Sequence, residues 1–338
     1  MSGRVLSAGE GSSTRARIAL ALFFAALAIA PFLVGDFLLS VLVIILYFAF
    51  VGQAWNLMMG YAGQLSLGHA LYVGIGAYAS AALFVHFGIP PLIGALPAMA
   101  LAALVGASIG LLAFRFRIGG VYFALLTIAF AEFTRILVSH IGWLGATEGF
   151  FLPIENRTDI DLVALRGPPH MFYYIFLVLT GAALLAIRRI MDSRLGYYWL
   201  AIREDETAAE AAGINIFRYK MIAVMISAGM TALAGIVTAF YYNNLFPTDV
   251  FGIHRSIEII LAPIVGGLGT LFGPIVGAFV LGILGEGLTI VLDQAGIATA
   301  GVKHLVYAVF LFLIVRFLPG GLWPWLAARL GLDRDWRA

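Results

Sequence analysis

Arg203-Glu204-Asp205-Glu206-Thr207-Ala208-Ala209-Glu210-Ala211-Ala212-Gly213-Ile214-Asn215 is the one long polar helical stretch in a chain that is otherwise strongly apolar. Ala and Glu, both good helix formers, dominate positions 204–212. The acids gather in the first turn, where they complement the positive end of a helix dipole, and Gly213 stands where helices commonly end. The spacing predicts a short exposed helix over 204–212. It sits within a polar segment, 188–220, that opens with Arg188 and Arg189, turns at 193–196 and closes with Arg218 and Lys220. Such a helix is either an amphipathic connector lying on a membrane surface or a docking element for a soluble partner.

The rest of the chain fixes the class. Of 338 residues, 62% are hydrophobic and 11% charged, where a soluble domain has about half and about a quarter; the mean hydropathy is +1.01. This composition predicts an all-α, polytopic helical membrane protein. The 39 glycines fit close helix packing. With no cysteine, disulfides, iron–sulfur clusters and thiol catalysis are excluded. Only Lys220 and Lys303 are lysines, so arginine carries the orientation signal.

Ten apolar segments are predicted, at 18–34, 37–59, 60–87, 92–114, 118–136, 171–187, 221–246, from about 256, 272–292 and 302–317, all within one permease-like domain, 18–320. Residues 1–17 read as a flexible cytoplasmic leader with Arg4, Arg15 and Arg17, and 321–338 as a cytoplasmic tail with Arg329, Arg334 and Arg337. A signal-peptide reading of 18–34 would cut after Ala28-Ile29-Ala30, but the apolar run is too long for it and Pro31 follows the cut. Residues 140–170, poor in basic residues, read as an external, solvated connector.

Two segments are broken. The third opens with Gly60, Gly63 and Gly68 among Gln64, Ser66 and His69, polar groups that must face protein or a water-filled path rather than lipid; the glycines serve close packing equally well. His69 fits an interior histidine as readily as a path residue, and no second ligand stands at metal spacing. The eighth is interrupted at Pro263 and at Gly266-Gly267-Leu268-Gly269, and Gly269, Gly273 and Gly277 form a small-residue ridge. Ten segments divide five and five, and the odd number inverts one half relative to the other, placing the broken third opposite the broken eighth. Gly60, Gly63 and Gly68 then echo Gly266, Gly269 and Gly273. Gly63, Gln64, Ser66, His69, Glu258, Gly269 and Thr270 are the candidates for a translocation path. Glu132 and Arg135, three apart, neutralise each other or bind across to another helix, a proton relay being the alternative. No GxxxxGK[ST] loop, metal cluster, nucleophile elbow or carboxylate dyad occurs, so an enzyme is not expected, and any nucleotide must be handled by another polypeptide.

Three stretches carry a family resemblance: residues 201–215 around Glu210-Ala211-Ala212-Gly213; Gly60-Tyr61-Ala62-Gly63-Gln64-Leu65-Ser66-Leu67-Gly68-His69-Ala70; and Ser256-Ile257-Glu258 through Gly266-Gly267-Leu268-Gly269-Thr270-Leu271-Phe272-Gly273-Pro274. In this order they resemble the permeases of bacterial ABC importers, specifically the branched-chain amino-acid permeases of the LivM type, over roughly residues 40–325. The resemblance implies a transmembrane permease subunit of an ATP-driven importer for branched-chain or related amino acids. Arg203, Glu204, Asp205, Glu206, Ala209, Glu210, Ala211, Ala212 and Gly213 would then grip an ATPase. It implies two ABC ATPase subunits, a second similar permease, an external solute-binding protein and surrounding membrane lipid as partners, with no nucleic acid and no cofactor on this chain, ATP being bound by the ATPases. The place implied is the bacterial inner membrane, with both termini cytoplasmic. The family often has a Gly-Pro-Asn-Gly type turn where this chain has Gly145-Ala146-Thr147-Glu148-Gly149-Phe150, so urea, short amides and aromatic acids stand beside branched-chain amino acids as solutes. The alternative class is an ion-coupled secondary transporter of small polar solutes using Glu132, Glu258 and Glu286, which leaves the 204–213 helix unexplained.

Overall fold

The computed structural model describes residues 22–153, 160–294 and 299–330. The leader at 1–17, the middle of the 140–170 connection and the end of the tail lie outside the described residues. Six helices are long and apolar enough to cross a membrane: α2 (Asp36–Asn56, continued by a π-turn at Leu57–Tyr61), α3 (Ala70–Phe87), α4 (Pro91–Arg115), α5 (Gly120–Ser139), α6 (Pro169–Met191) and α9 (Ile216–Tyr242). Shorter apolar stretches are Leu22–Phe32 (α1), Gly273–Thr289 within α12 (Gly273–Gln294) and Leu305–Ile314 within α13 (Thr299–Phe317). With α11 (Ile253–Gly266) these match the ten expected segments one to one. The fourteen residues of α11 rise only about 21 Å, less than a hydrocarbon core of about 30 Å. Irregular backbone on both sides of α11 therefore lies at membrane depth, where it is tolerated only against protein.

Neighbouring helices are held by small residues. The Gly106/Gly110 pair of α4 faces Val224, Ala228 and Met221 of α9. Where α3 crosses α9, a Cβ on Gly76 would overlap the carbonyl of Ala232, and one on Gly235 that of Val73, so the two backbones touch. The packing repeats: α3 lies on α9 and α4 as α11 lies on α2 and α12, and α4 on α9 as α12 on α2. Exchanging α2 with α9, α3 with α11, α4 with α12 and α5 with α13 thus maps neighbours onto neighbours. The outer pair departs from it: α6 packs on α2, while α1 is tied to α6 by Tyr173 Oη donating to Leu27 O (2.6 Å) and Tyr174 Oη to Ala28 O (2.9 Å).

Three features go beyond the expectations. The two glycine-rich breaks differ in place, the first preceding α3 and the second following α11, and they touch each other at Gly60 and Gly269. The 140–170 connection is not simply solvated. Its Phe150–Phe151 strand (β1) pairs antiparallel with Asn244–Leu245 (β2), Phe150 is buried, and its ring stacks on Tyr78, whose hydroxyl donates to Leu245 O; a short helix, α10 (Pro247–Val250), follows β2. The tail begins as helix α14 (Leu322–Leu330), with Ala327 buried and Trp323 against Phe272 at 4.8 Å between ring centres, because its aromatic residues cover the second break.

Candidate coupling and translocation site

The polar segment folds into two helices rather than the single helix over 204–212. α7 (Arg194–Glu204) starts at Ser193, whose hydroxyl accepts from Leu195 N–H (3.2 Å); α8 (Glu206–Ala211) starts at Asp205. Asp205 is extended (φ −156°, ψ 109°), and its carboxylate accepts from the N–H groups of Thr207 (2.8 Å) and Ala208 (3.0 Å). Asp competes for backbone donors in this way wherever it sits, so it breaks the helix and caps the next one. Gly213, at φ +84°, closes α8, with Gly213 N–H on Glu210 O and Ile214 N–H on Ala209 O. Asn215 then caps α9 through Arg218 N–H (2.9 Å). Three polar side-chain caps and the closing glycine within 23 residues make the α7–α8 hairpin a defined, rigid projection.

Of the coupling candidates, Arg203, Glu204, Asp205, Glu206, Glu210, Ala211, Ala212 and Gly213 are exposed. Ala209 is buried, so it seats α8 on the protein and is not available to a partner. Glu210 pairs loosely with Arg117 (3.7 Å) with both side chains well exposed, a contact of small energetic value. The firm anchor is Glu206 Oε1 on Lys220 Nζ (2.5 Å), whose side chain is only 6% exposed and also lies over the Phe114 ring. Neutralising Glu206 leaves that buried ammonium without its counter-charge. Glu206→Gln is expected to lower stability by about 2 kcal/mol, read as an earlier thermal unfolding midpoint in detergent; an unchanged midpoint would mean that Lys220 finds water instead.

Arg203 links this hairpin to the breaks. Its Nη1 donates to Gly60 O (2.5 Å), and Gly63, at φ +69°, lies against its side-chain stem. Asn56, at the end of α2, holds the second break with both ends of its amide: Oδ1 accepts from Gly269 N–H (2.8 Å) and Nδ2 donates to Thr270 O (3.0 Å). A Cβ on Gly269 would lie 2.7 Å from Arg203 Nη1 and 2.8 Å from Gly60 O, at φ +68°, so only glycine fits where the breaks and the arginine converge. Thr270 Oγ1 donates to Gly267 O (2.8 Å) and accepts from Gly273 N–H (3.1 Å), capping the entry to α12.

The other path candidates of the first break face protein. Gln64, Ser66 and His69 are at most 3% exposed. Ser227 donates its hydroxyl to Ala54 O (2.7 Å), so its oxygen accepts from His69 Nε2–H (2.9 Å), and Nδ1 accepts from Ser66 Oγ–H (3.1 Å). His69 is therefore a neutral brace between the break and α9. Gln64 Nε2 donates to Ala62 O (3.0 Å). Glu258 stands elsewhere, on α11, with Oε2 accepting from Arg255 Nη1 (3.2 Å). Of the acids invoked for ion coupling, Glu132 and Glu258 are thus each paired with an arginine one helical turn away, Glu132 with Arg135. Residues beyond the path candidates complete the brace: Trp55 Nε1 donates to Ser66 O (2.8 Å), Thr127 Oγ1 accepts from Leu67 N–H (3.1 Å) and Ser256 Oγ from Ala70 N–H (3.0 Å). Their signal in the sequence is a polar side chain, such as Asn56 or Thr127, inside an apolar helix.

The chain matches the family described as "Branched-chain amino acid transport system / permease component" over residues 37–318. It is 27% identical over 300 residues to the high-affinity branched-chain amino acid transport system permease protein LivM of Escherichia coli (strain K12), covering 82% of this chain and 69% of that one. Over 146 residues, 43% of this chain and 45% of the relative, it is 30% identical to the high-affinity branched-chain amino acid transport system permease protein LivH of the same organism. Over 190 residues, 54% of this chain and 52% of the relative, it is 32% identical to the autoinducer 2 import system permease protein LsrC of Enterobacter sp. (strain 638). No solved structure matches. The family match covers most of the chain and agrees with the helical bundle, and the protein therefore belongs to the branched-chain amino acid transport system permease family, a multi-pass membrane permease and not an enzyme.

Proposed function

We propose that this chain is the transmembrane permease subunit of an ATP-driven ABC importer for branched-chain or related amino acids. It works with two separate ATPase subunits, a second similar permease and an external solute-binding protein in the bacterial inner membrane, with the α7–α8 face and both termini cytoplasmic. The observation that carries this reading is the exposed, capped α7–α8 hairpin joined by Arg203 to Gly60. A transporter driven by ions alone has no use for a rigid polar projection wired to its broken segments.

In this reading the ATPases grip Glu204–Glu206 and Glu210–Gly213, and Ala209 seats the helix beneath them. ATPase closure moves the hairpin as a lever. Arg203 passes the displacement to Gly60, and Asn56 passes it on to Gly269 and Thr270, so both breaks shift together. The solute path opens along these segments, with Gly63 and Gly269 as its hinges and Gln64, Ser66 and His69 as the brace behind it. The test is uptake by the complex in proteoliposomes with ATP inside or outside, against imposed proton and sodium gradients. Uptake is expected only with ATP on the hairpin side. Uptake driven by a gradient without ATP would transfer the chain to the ion-coupled class.

A further inference from the structure

At the end of the bundle remote from α8, a cavity of about 310 Å³ opens between α2, α3, α9 and the β2–α10 connection. The 27 residues of α9 place it about 40 Å along that helix from the coupling hairpin. Its wall has two characters: Val73, Ala77 and Ala239 are apolar, while Arg255 and Asp249 bring opposite charges to the same space. These two are not an ion pair with each other. The guanidinium has five N–H groups, and its one hydrogen bond among the described residues goes to Glu258 (3.2 Å). Among the described residues Asp249 accepts only a long bond, from its neighbour Thr248 (3.4 Å).

The geometry points to this cavity as a binding site for the zwitterionic head of an apolar α-amino acid, the carboxylate on Arg255, the ammonium on Asp249 and the side chain against Val73, Ala77 and Ala239. Arg presents a planar fork that matches a carboxylate at two points. Arg255 stands with two acids, Asp249 and Glu258, so the local charge is one positive against two negative. A solute anion alone meets repulsion there, whereas a zwitterion satisfies the cation and an acid together. The size fits one amino acid, at the lower end of small-molecule pockets, which run from about 300 Å³. The site deepens the importer reading, on which it rests for the direction of entry: solute released at this mouth is held before it reaches the broken segments.

The test uses the purified complex in detergent and follows its thermal unfolding midpoint against L-leucine, 4-methylpentanoate, which lacks the ammonium, and isopentylamine, which lacks the carboxylate. Leucine is expected to raise the midpoint with a saturable dependence, and both analogues to act at least tenfold more weakly. Arg255→Gln is expected to abolish the leucine effect, and so is Arg255→Gln combined with Glu258→Gln, which also removes the acid that Arg255 pairs with. Asp249→Asn, on the short exposed helix α10, is expected to weaken it at least tenfold without disturbing the bundle. An unchanged leucine effect in Asp249→Asn or in the double variant, or equal effects of amine and amino acid, overturns the site. ATP-driven leucine uptake without any leucine shift removes the site and leaves the importer standing; a leucine shift without ATP-driven uptake removes the importer and leaves the site.

Discussion

Arg203→Ala is expected to lower ATP-driven uptake by at least tenfold while the chain still reaches the membrane and still binds its ATPases. The side chain donates to Gly60 O from a position two residues before the extended Asp205, so its guanidinium is turned to the first break and away from α8. A hydrogen bond from a charged donor contributes about 1.5–3 kcal/mol, and about 1.4 kcal/mol is a factor of ten in a rate. Removing the bond leaves hairpin and breaks each intact but moving separately. Uptake at matched protein level, measured beside ATPase co-purification, separates the two effects. Normal uptake would mean that the displacement travels through α9 or α6 instead.

Gly269→Leu is expected to abolish uptake and to lower the unfolding midpoint. At φ +68° a side chain is strained by about 1–3 kcal/mol before any contact is counted. Its Cβ would further press on Gly60 O and Arg203 Nη1, which meet at this residue. The first break, the second break and the coupling arginine cannot all keep their places around it. Uptake at the wild-type rate would show that the convergence at Gly269 is incidental to transport.

Most of the helical order was legible because apolar length is a local property: each of the ten expected segments has its helix. The polar helix was legible in its place but not in its division, since the same Asp205 that reads as a first-turn acid captures two backbone donors and splits the segment. Ala209 and Ala211 look alike in sequence, and only the direction from which α8 meets the protein buries the first and exposes the second. The glycines of the two breaks were visible, but the contact between them was not. That contact runs through Asn56, 213 residues from Gly269, a separation at which no local pattern speaks. The packing of Trp323, at the start of the tail, on Phe272 is likewise a contact between distant positions that no local pattern announces.

Affinity purification of the tagged chain in mild detergent, with mass spectrometry of what accompanies it, tests the central claim most directly. The account predicts two P-loop ATPase subunits and a second permease with the wild-type chain and with Arg203→Ala, and loss of the ATPases when Glu210→Lys or Gly213→Trp alters the exposed face of α8. A chain that purifies without any ATPase, or that keeps its ATPases through both α8 variants, would contradict the coupling role of the hairpin.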